Sequence, residues 1–409
     1  MNIFSNLIFN KRVLITGLAL FAMFFGAGNI LFPLYIGCHV GEHIVEASIG
    51  FILSGVGVPF LALIATSQYQ GDYWKFFNNL GRIPAFILVS LLMIAIGPLS
   101  AMPRTAIITF NSLIPYLPDT FNNQYIFGIG YFAVVFLFSY RESKIIDIIG
   151  SIFSPIKIIL FIILTGFGIY FSEPAMLSDM SSYKAFSEAV IYGYGTMDMF
   201  GAFFFCTIAF NSLKGQITPS SSQEDRVKII ISSSIVGAIV LGSVYLGFLY
   251  LGYSHASSLR DLPEEALIAA ISQKILGRFG GTFVCIAVSF ACLSTAIALA
   301  RVCTFFLYSD VCRTKISSNI CLFLIIFGSY CTSILGFQTL LKILFPILEI
   351  IYPGLIIYSV VSILCKWKHF HTIHAIVVFT AQLITVKTFF AWVTKLIFIK
   401  FKFLTKKVF

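Results

Sequence analysis

Charge is what this sequence has least of. Asp, Glu, Lys and Arg make up 11% of its 409 residues, against about 25% in a soluble globular domain, and so small a polar surface excludes a water-soluble globule. No linker, low-complexity tract or polar domain separates its apolar stretches. The nine cysteines include no C-x-x-C pair, which favours small packing residues over metal ligands; Cys206, Cys285, Cys292 and Cys303 lie inside apolar runs. The six histidines show no ligand spacing. There is no P-loop for ATP-driven work, and no nucleophile with a base or pair of acids at a spacing that suits an enzyme. The alternating segments of about ten residues that mark a β-barrel are missing too.

What is there is hydrophobic: 58% of the chain. Runs long enough to cross a hydrocarbon core, about 20 residues each, fall near 12–38, 44–67, 83–113, 125–140, 145–171, 186–211, 227–253, 279–309, 317–335, 338–365 and 371–394. The expected fold class is an all-α integral membrane protein, one polytopic domain over 1–409, because lipid offers the backbone no partner outside a helix. The first run is too long for a signal-peptide core and lacks a small-residue cleavage pattern after it, so it is expected to stay.

Lys11, Arg12, Lys75, Arg82, Arg141, Lys144, Lys214, Arg226, Lys228, Arg313, Lys315, Lys366 and Lys368 fall on one side if the spans alternate. Lys184, Arg260, Lys274 and Arg278 fall on the other, three of them in a longer loop at 254–278. That bias places the amino terminus in the cytoplasm. The net charge of +10 then faces anionic lipid, and nucleic acid is not an expected partner.

Two spans are interrupted. The first carries "GAGN" at Gly26 to Asn29, with Pro33 expected to restart the helix beyond it; the sixth carries "GYGTMDMFG" from Gly193 to Gly201. Both open a unit of five spans if 12–171 and 186–365 are repeats, and an odd number of spans makes such repeats inverted. An unwound turn exposes N–H groups for a carboxylate and C=O groups for a cation; close helix packing through the small residues is the alternative.

Ionisable residues within spans usually face a cavity or a partner. Three stand out: Arg104 in "GPLSAMPRT", Lys157 in "SPIKIIL" and Asp198 in "GTMDMF". Asp198 follows a glycine break, where its carboxylate could take a substrate ammonium, ligate a cation, or neutralise Arg104 or Lys157. Arg104 reads as a gating or packing charge and Lys157 as a coupling charge or a lysine snorkelling to the interface. In "ACLSTAIALA" of the eighth span, Ala291, Ser294 and Thr295 share a helical face. Their uncharged oxygens suit a monovalent cation unless the hydroxyls turn back onto their own helix.

With "FFGAGNILFP", "GEH" at 41–43, "GPLSAMPRTA", "SPIKII", "GYGTMD", "ACLSTA" and "IYPG" in order, the chain resembles the branched-chain amino acid carrier II proteins, bacterial cation symporters. The resemblance implies the leucine-transporter fold, a 5+5 inverted repeat with discontinuous first and sixth helices followed by further helices, in a bacterial inner membrane. It implies a substrate carboxylate at Gly26, Ala27 and Gly28, with Phe24, Tyr194, Thr196 and Asp198 completing the substrate site. The sodium would take the carbonyls of Ala22, Phe25 and Ala291 and the hydroxyls of Ser294 and Thr295. Met23, Phe24, Met197 and Phe203 are expected to wall an apolar pocket for leucine, isoleucine or valine. The family has twelve spans, so 371–409 is expected to hold a full span and a shortened twelfth, or a hairpin. No cofactor is implied beyond the coupling ion. A lysine on the fifth helix replaces sodium in some relatives of the fold, so proton coupling through Lys157, or transport of other neutral amino acids, is the alternative to sodium-coupled uptake. A channel is disfavoured, since no filter or pore repeat accompanies the broken helices.

Overall fold

The computed structural model describes residues 10–116, 122–140, 159, 161–174, 176–216 and 223–368, and every regular element among them is helical. The elements are α1 (Lys11–Phe24), α2 (Ala27–Val40), α3 (Ile44–Ile52), α4 (Val58–Ser67), α5 (Arg82–Ile94), α6 (Ala101–Leu113), α7 (Gln124–Tyr140), α8 (Phe161–Tyr170), α9 (Ser182–Gly195), α10 (Asp198–Gln216), α11 (Gln223–Ser254), α12 (Leu267–Phe306), α13 (Ser318–Ser333) and α14 (Phe337–Lys368). Lys157, the expected eleventh span at 371–394 and the basic tail to 409 lie outside the described residues.

Several expected spans are helix pairs joined by an irregular turn. A π-turn at Leu53–Gly57 joins α3 to α4, and another at Ala95–Leu99, with Gly97 at φ −87° and ψ −111°, separates α5 from α6. The first delivers Ser54 to the wall of α9, where a Cβ on Gly193 would lie 1.9 Å from the Ser54 Oγ. The second restarts the third span at Ala101, so that Arg104 occupies the first turn of α6.

Helix neighbours are exchanged between the two halves of the chain. The seventh span, α11, packs along both pieces of the first, α1 and α2; the second span, α3 and α4, packs along the two pieces of the sixth, α9 and α10; and α6 lies against α12. Each opening helix thus rests on the second helix of the other half, the exchange that an inverted repeat of two five-span units implies.

The stretch expected as a loop at 254–278 is largely helical. A short helix at Ala256–Leu259 and a 3₁₀ turn at Glu264–Ala266 precede α12, and the chain bends at Gly277, whose φ of +67° glycine alone adopts readily. The reason is legible in "LIAAISQKIL": Leu267, Ile268 and Ile271 share one face and are buried. The Lys274–Glu173 ion pair, at 2.5 Å, ties this segment to the stretch after α8.

Candidate substrate and ion site

The first break is narrower than "GAGN" suggests. Phe25 (φ −72°, ψ 94°) and Gly26 (φ −124°, ψ −164°) are extended, and α2 begins at Ala27. The expectation that Pro33 restarts the helix is therefore wrong: Pro33 lies inside α2, and the restart is made by Asn29. Its side-chain Oδ1 accepts a 2.9 Å hydrogen bond from the Gly26 N–H, as a side chain at the third helical position can do for the residue before the helix. In an unbroken helix that N–H would close on the Ala22 carbonyl, so its diversion to Asn29 releases the Ala22 oxygen from the helical ladder.

Asn29 also reaches the second break. Its Nδ2 donates to Asp198 Oδ2 at 2.6 Å and to the Tyr245 hydroxyl, and that hydroxyl donates to the same Asp198 oxygen at 2.7 Å. Three buried polar side chains from the first, sixth and seventh spans thus close one network. At the sixth span, α9 and α10 meet at a 41° bend. Met197 sits there at φ +63°, a conformation few residues other than glycine adopt, so Asp198 opens α10. The Thr196 hydroxyl donates to the Gly193 carbonyl at 2.8 Å.

The two breaks face one cavity, partly open to solvent, with about 40 Å³ of room for the centres of water-sized molecules. Gly26, Ala27, Gly28, Thr196 and Asp198 line it, together with Phe24, Met23 and Met197 on its apolar side. Arg104 lines it too. Phe205, Ile96 and Leu299 complete the apolar wall, a role that Phe203 was expected to share. Phe203 instead packs against Phe76 and Phe77, with ring centroids 5.4 and 4.9 Å apart. Its side chain points across the opposite face of α10. Tyr194 does not reach the cavity wall; its ring lies 4.3 Å from that of Tyr352.

Of the cation candidates, Thr295 reaches the cavity, and α12 brings it against the break: a Cβ on Gly26 would lie 3.2 Å from both Thr295 Oγ1 and Cγ2. Ser294 and Thr295 both donate their hydroxyl protons to the Ala291 carbonyl, at 2.9 and 3.0 Å. Each hydroxyl oxygen keeps its lone pairs after donating. Ala22 and Phe25 stand one turn and one residue before Gly26, at the carboxyl end of α1. Among the described residues there is no cluster of His, Cys, Asp and Glu able to hold a metal ion.

Two residues of this site were not legible as such. Asn29 stood in the quoted motif without a role, because nothing local shows that its side chain serves both Gly26 and Asp198. Tyr245 lies in an apolar span; a phenol needing a partner in lipid was the available signal, and its partner is 47 residues away.

A family described as "Branched-chain amino acid transport protein" matches residues 9–405. The branched-chain amino acid permease BrnQ of Escherichia coli (strain K12) is 31% identical over 369 residues, covering 88% of this chain and 82% of that protein. BrnQ of Bacillus subtilis (strain 168) is 30% identical over 354 residues, covering 83% and 78%. Among solved structures, the inward-facing conformation of Mhp1 superposes with a TM-score of 0.60 at 14% identity, over 94% of this chain and 91% of that one. MhsT in complex with L-phenylalanine gives 0.52 at 16% identity, over 90% and 98%. The fold is that of the leucine-transporter group, with its inverted repeat and discontinuous first and sixth helices. The chain belongs to the branched-chain amino acid transport protein family, a family of membrane transporters and not of enzymes.

Proposed function

We propose that this protein imports leucine, isoleucine and valine by sodium-coupled symport through alternating access, in a bacterial inner membrane with its amino terminus in the cytoplasm. The observation that carries this reading is the convergence of both helix breaks on one cavity that holds helix-end amides, a carboxylate and an apolar wall. A zwitterion with a branched aliphatic side chain needs all three. The amide end of α2, at Ala27 and Gly28, favours a carboxylate; Asp198 favours an ammonium; Met23, Phe24 and Met197 accept the side chain. The names of the relatives agree with the substrate class.

Sodium is the proposed coupling ion because the oxygens it needs lie at the break. The Ala22 carbonyl has lost its helical donor to Asn29, and the Thr295 hydroxyl adjoins Gly26. An ion bound there fixes the end of α1, and with it the amides that face the substrate. Uptake of labelled leucine into proteoliposomes tests both parts: it is expected under an imposed sodium gradient, and uptake driven by a proton gradient alone would move the assignment to proton coupling. In a Ser294→Ala/Thr295→Ala double variant, losing one or two oxygen ligands at about 1 kcal/mol each should raise the half-saturating sodium concentration about 10-fold. Leucine affinity at saturating sodium should change little. An unchanged sodium requirement removes both hydroxyls from the site.

A further inference from the structure

Arg104 is buried in the wall of the cavity, at 2% exposure, and Asp198 lines the same cavity. Its surroundings give it less than a buried guanidinium requires. Nη1 donates to the Gly195 carbonyl at 2.7 Å, and the guanidinium carbon lies 5.3 Å from the centre of the Phe32 ring. Nε is buried with no hydrogen-bond partner. No ion pair joins it to Asp198, whose Oδ2 is engaged by Asn29 and Tyr245. Nor does its own helix favour it: Arg104 stands in the first turn of α6, where the macrodipole disfavours a cation.

A single cavity therefore holds one positive and one negative side chain that are buried and not paired with each other. Neither side chain has a direct counter-ion among the described residues, which is costly in a low-dielectric site, and a ligand carrying both signs supplies one to each. We propose that Arg104 binds the carboxylate of the amino acid, beside the α2 amides, while Asp198 takes its ammonium. Arg104 is then the residue that makes a free carboxylate a requirement for transport. The proposal rests on the amino-acid transport reading above and assigns the polarity with which the substrate sits. Arg104 also caps the carboxyl end of α9 through Gly195, so carboxylate binding and the geometry of the sixth-span break are felt by the same side chain.

The purified protein in proteoliposomes is probed with leucine and with leucinamide, which keeps the ammonium and side chain and lacks the carboxylate. Each is measured as a competitor of labelled leucine and by ligand-induced thermal shift. A charge-assisted bond contributes about 1.5–3 kcal/mol, so the unmodified protein should prefer leucine about 10- to 100-fold, and Arg104→Gln should remove most of that preference. Arg104→Lys, which keeps the charge without the fork, should restore part of it. If Arg104 only holds Gly195, the variants weaken both ligands together and the leucine-to-leucinamide ratio stays the same, which overturns the proposal. Equal competition by leucinamide in the unmodified protein overturns it without any variant. Failure of leucine, isoleucine and valine to bind the unmodified protein would instead overturn the transport reading on which it rests.

Discussion

An Asp198→Asn variant is expected to lose leucine transport efficiency by roughly 30-fold or more while folding as the parent chain does. The substitution separates charge from hydrogen bonding. Asp198 Oδ2 accepts from both Asn29 and Tyr245, and the amide oxygen of asparagine can accept the same two bonds. What disappears is the negative charge that faces the cavity. Removing one partner of a buried, hydrogen-bonded charge pair costs about 2–5 kcal/mol, of which the lower figure already corresponds to about 30-fold. Tyr245→Phe is the contrasting variant: it keeps the charge and removes one of the two hydrogen bonds, so its loss should be several-fold smaller. Initial uptake rates over a range of leucine concentrations, alongside melting curves of the detergent-solubilised protein, make the comparison. An Asp198→Asn protein that transports leucine with unchanged half-saturation would show that the carboxylate does not meet the substrate.

The second large effect concerns packing. Gly252→Ala should lower the apparent melting temperature by about 2–4 °C, the shift that a cost of about 2–3 kcal/mol produces in a chain of this length. At Gly37 and Gly252 the backbones of α2 and α11 touch. A Cβ on Gly252 would lie 2.1 Å from the Leu34 carbonyl oxygen, and one on Gly37 would lie 2.1 Å from the Leu249 carbonyl oxygen. Neither obstacle is the end of a flexible side chain, so the helices themselves must part. Because α2 carries the amides of the site and α11 carries Tyr245, uptake should fall with stability. The two substitutions should not be additive, since helices already pushed apart by the first make room for the second. Gly130→Ala in α7 is the control: nothing lies within 4 Å of its added Cβ, and little change is expected. A Gly252→Ala protein as stable as the parent would mean that α2 and α11 do not pack as closely as described.

These residues show how far the sequence reaches. Apolar run lengths located the helices, because the length needed to cross lipid and the absence of backbone partners there leave no other solution. Glycine clusters located both breaks, since unwinding is a local property of the backbone. The exchange of α11 and α3–α4 between the two broken helices agrees with the inverted pairing that two breaks in matching positions imply. Errors arose where a side chain's direction decides its role. Phe203 and Met197 both flank Asp198 in an apolar stretch, yet Met197 lines the cavity and Phe203 packs on Phe76 and Phe77. One-dimensional spacing does not give the rotation of α10 after a bend. Pro33 suggested a restart because proline lacks an N–H, but the N–H that matters is that of Gly26, and its acceptor is a side chain.

By itself, then, the sequence determined that the chain is helical, membrane-embedded and broken in its first and sixth spans, because these follow from composition and from backbone preferences over a few neighbouring residues. Only the tertiary structure decided which polar groups meet: that Asn29 holds Gly26 and Asp198 together, that Tyr245 joins them from the seventh span, and that Arg104 shares their cavity without pairing with Asp198. Hydrogen bonds and charge contacts form at about 3 Å, in this network between residues up to 216 positions apart, and no local pattern in a chain records which distant helix will present its partner.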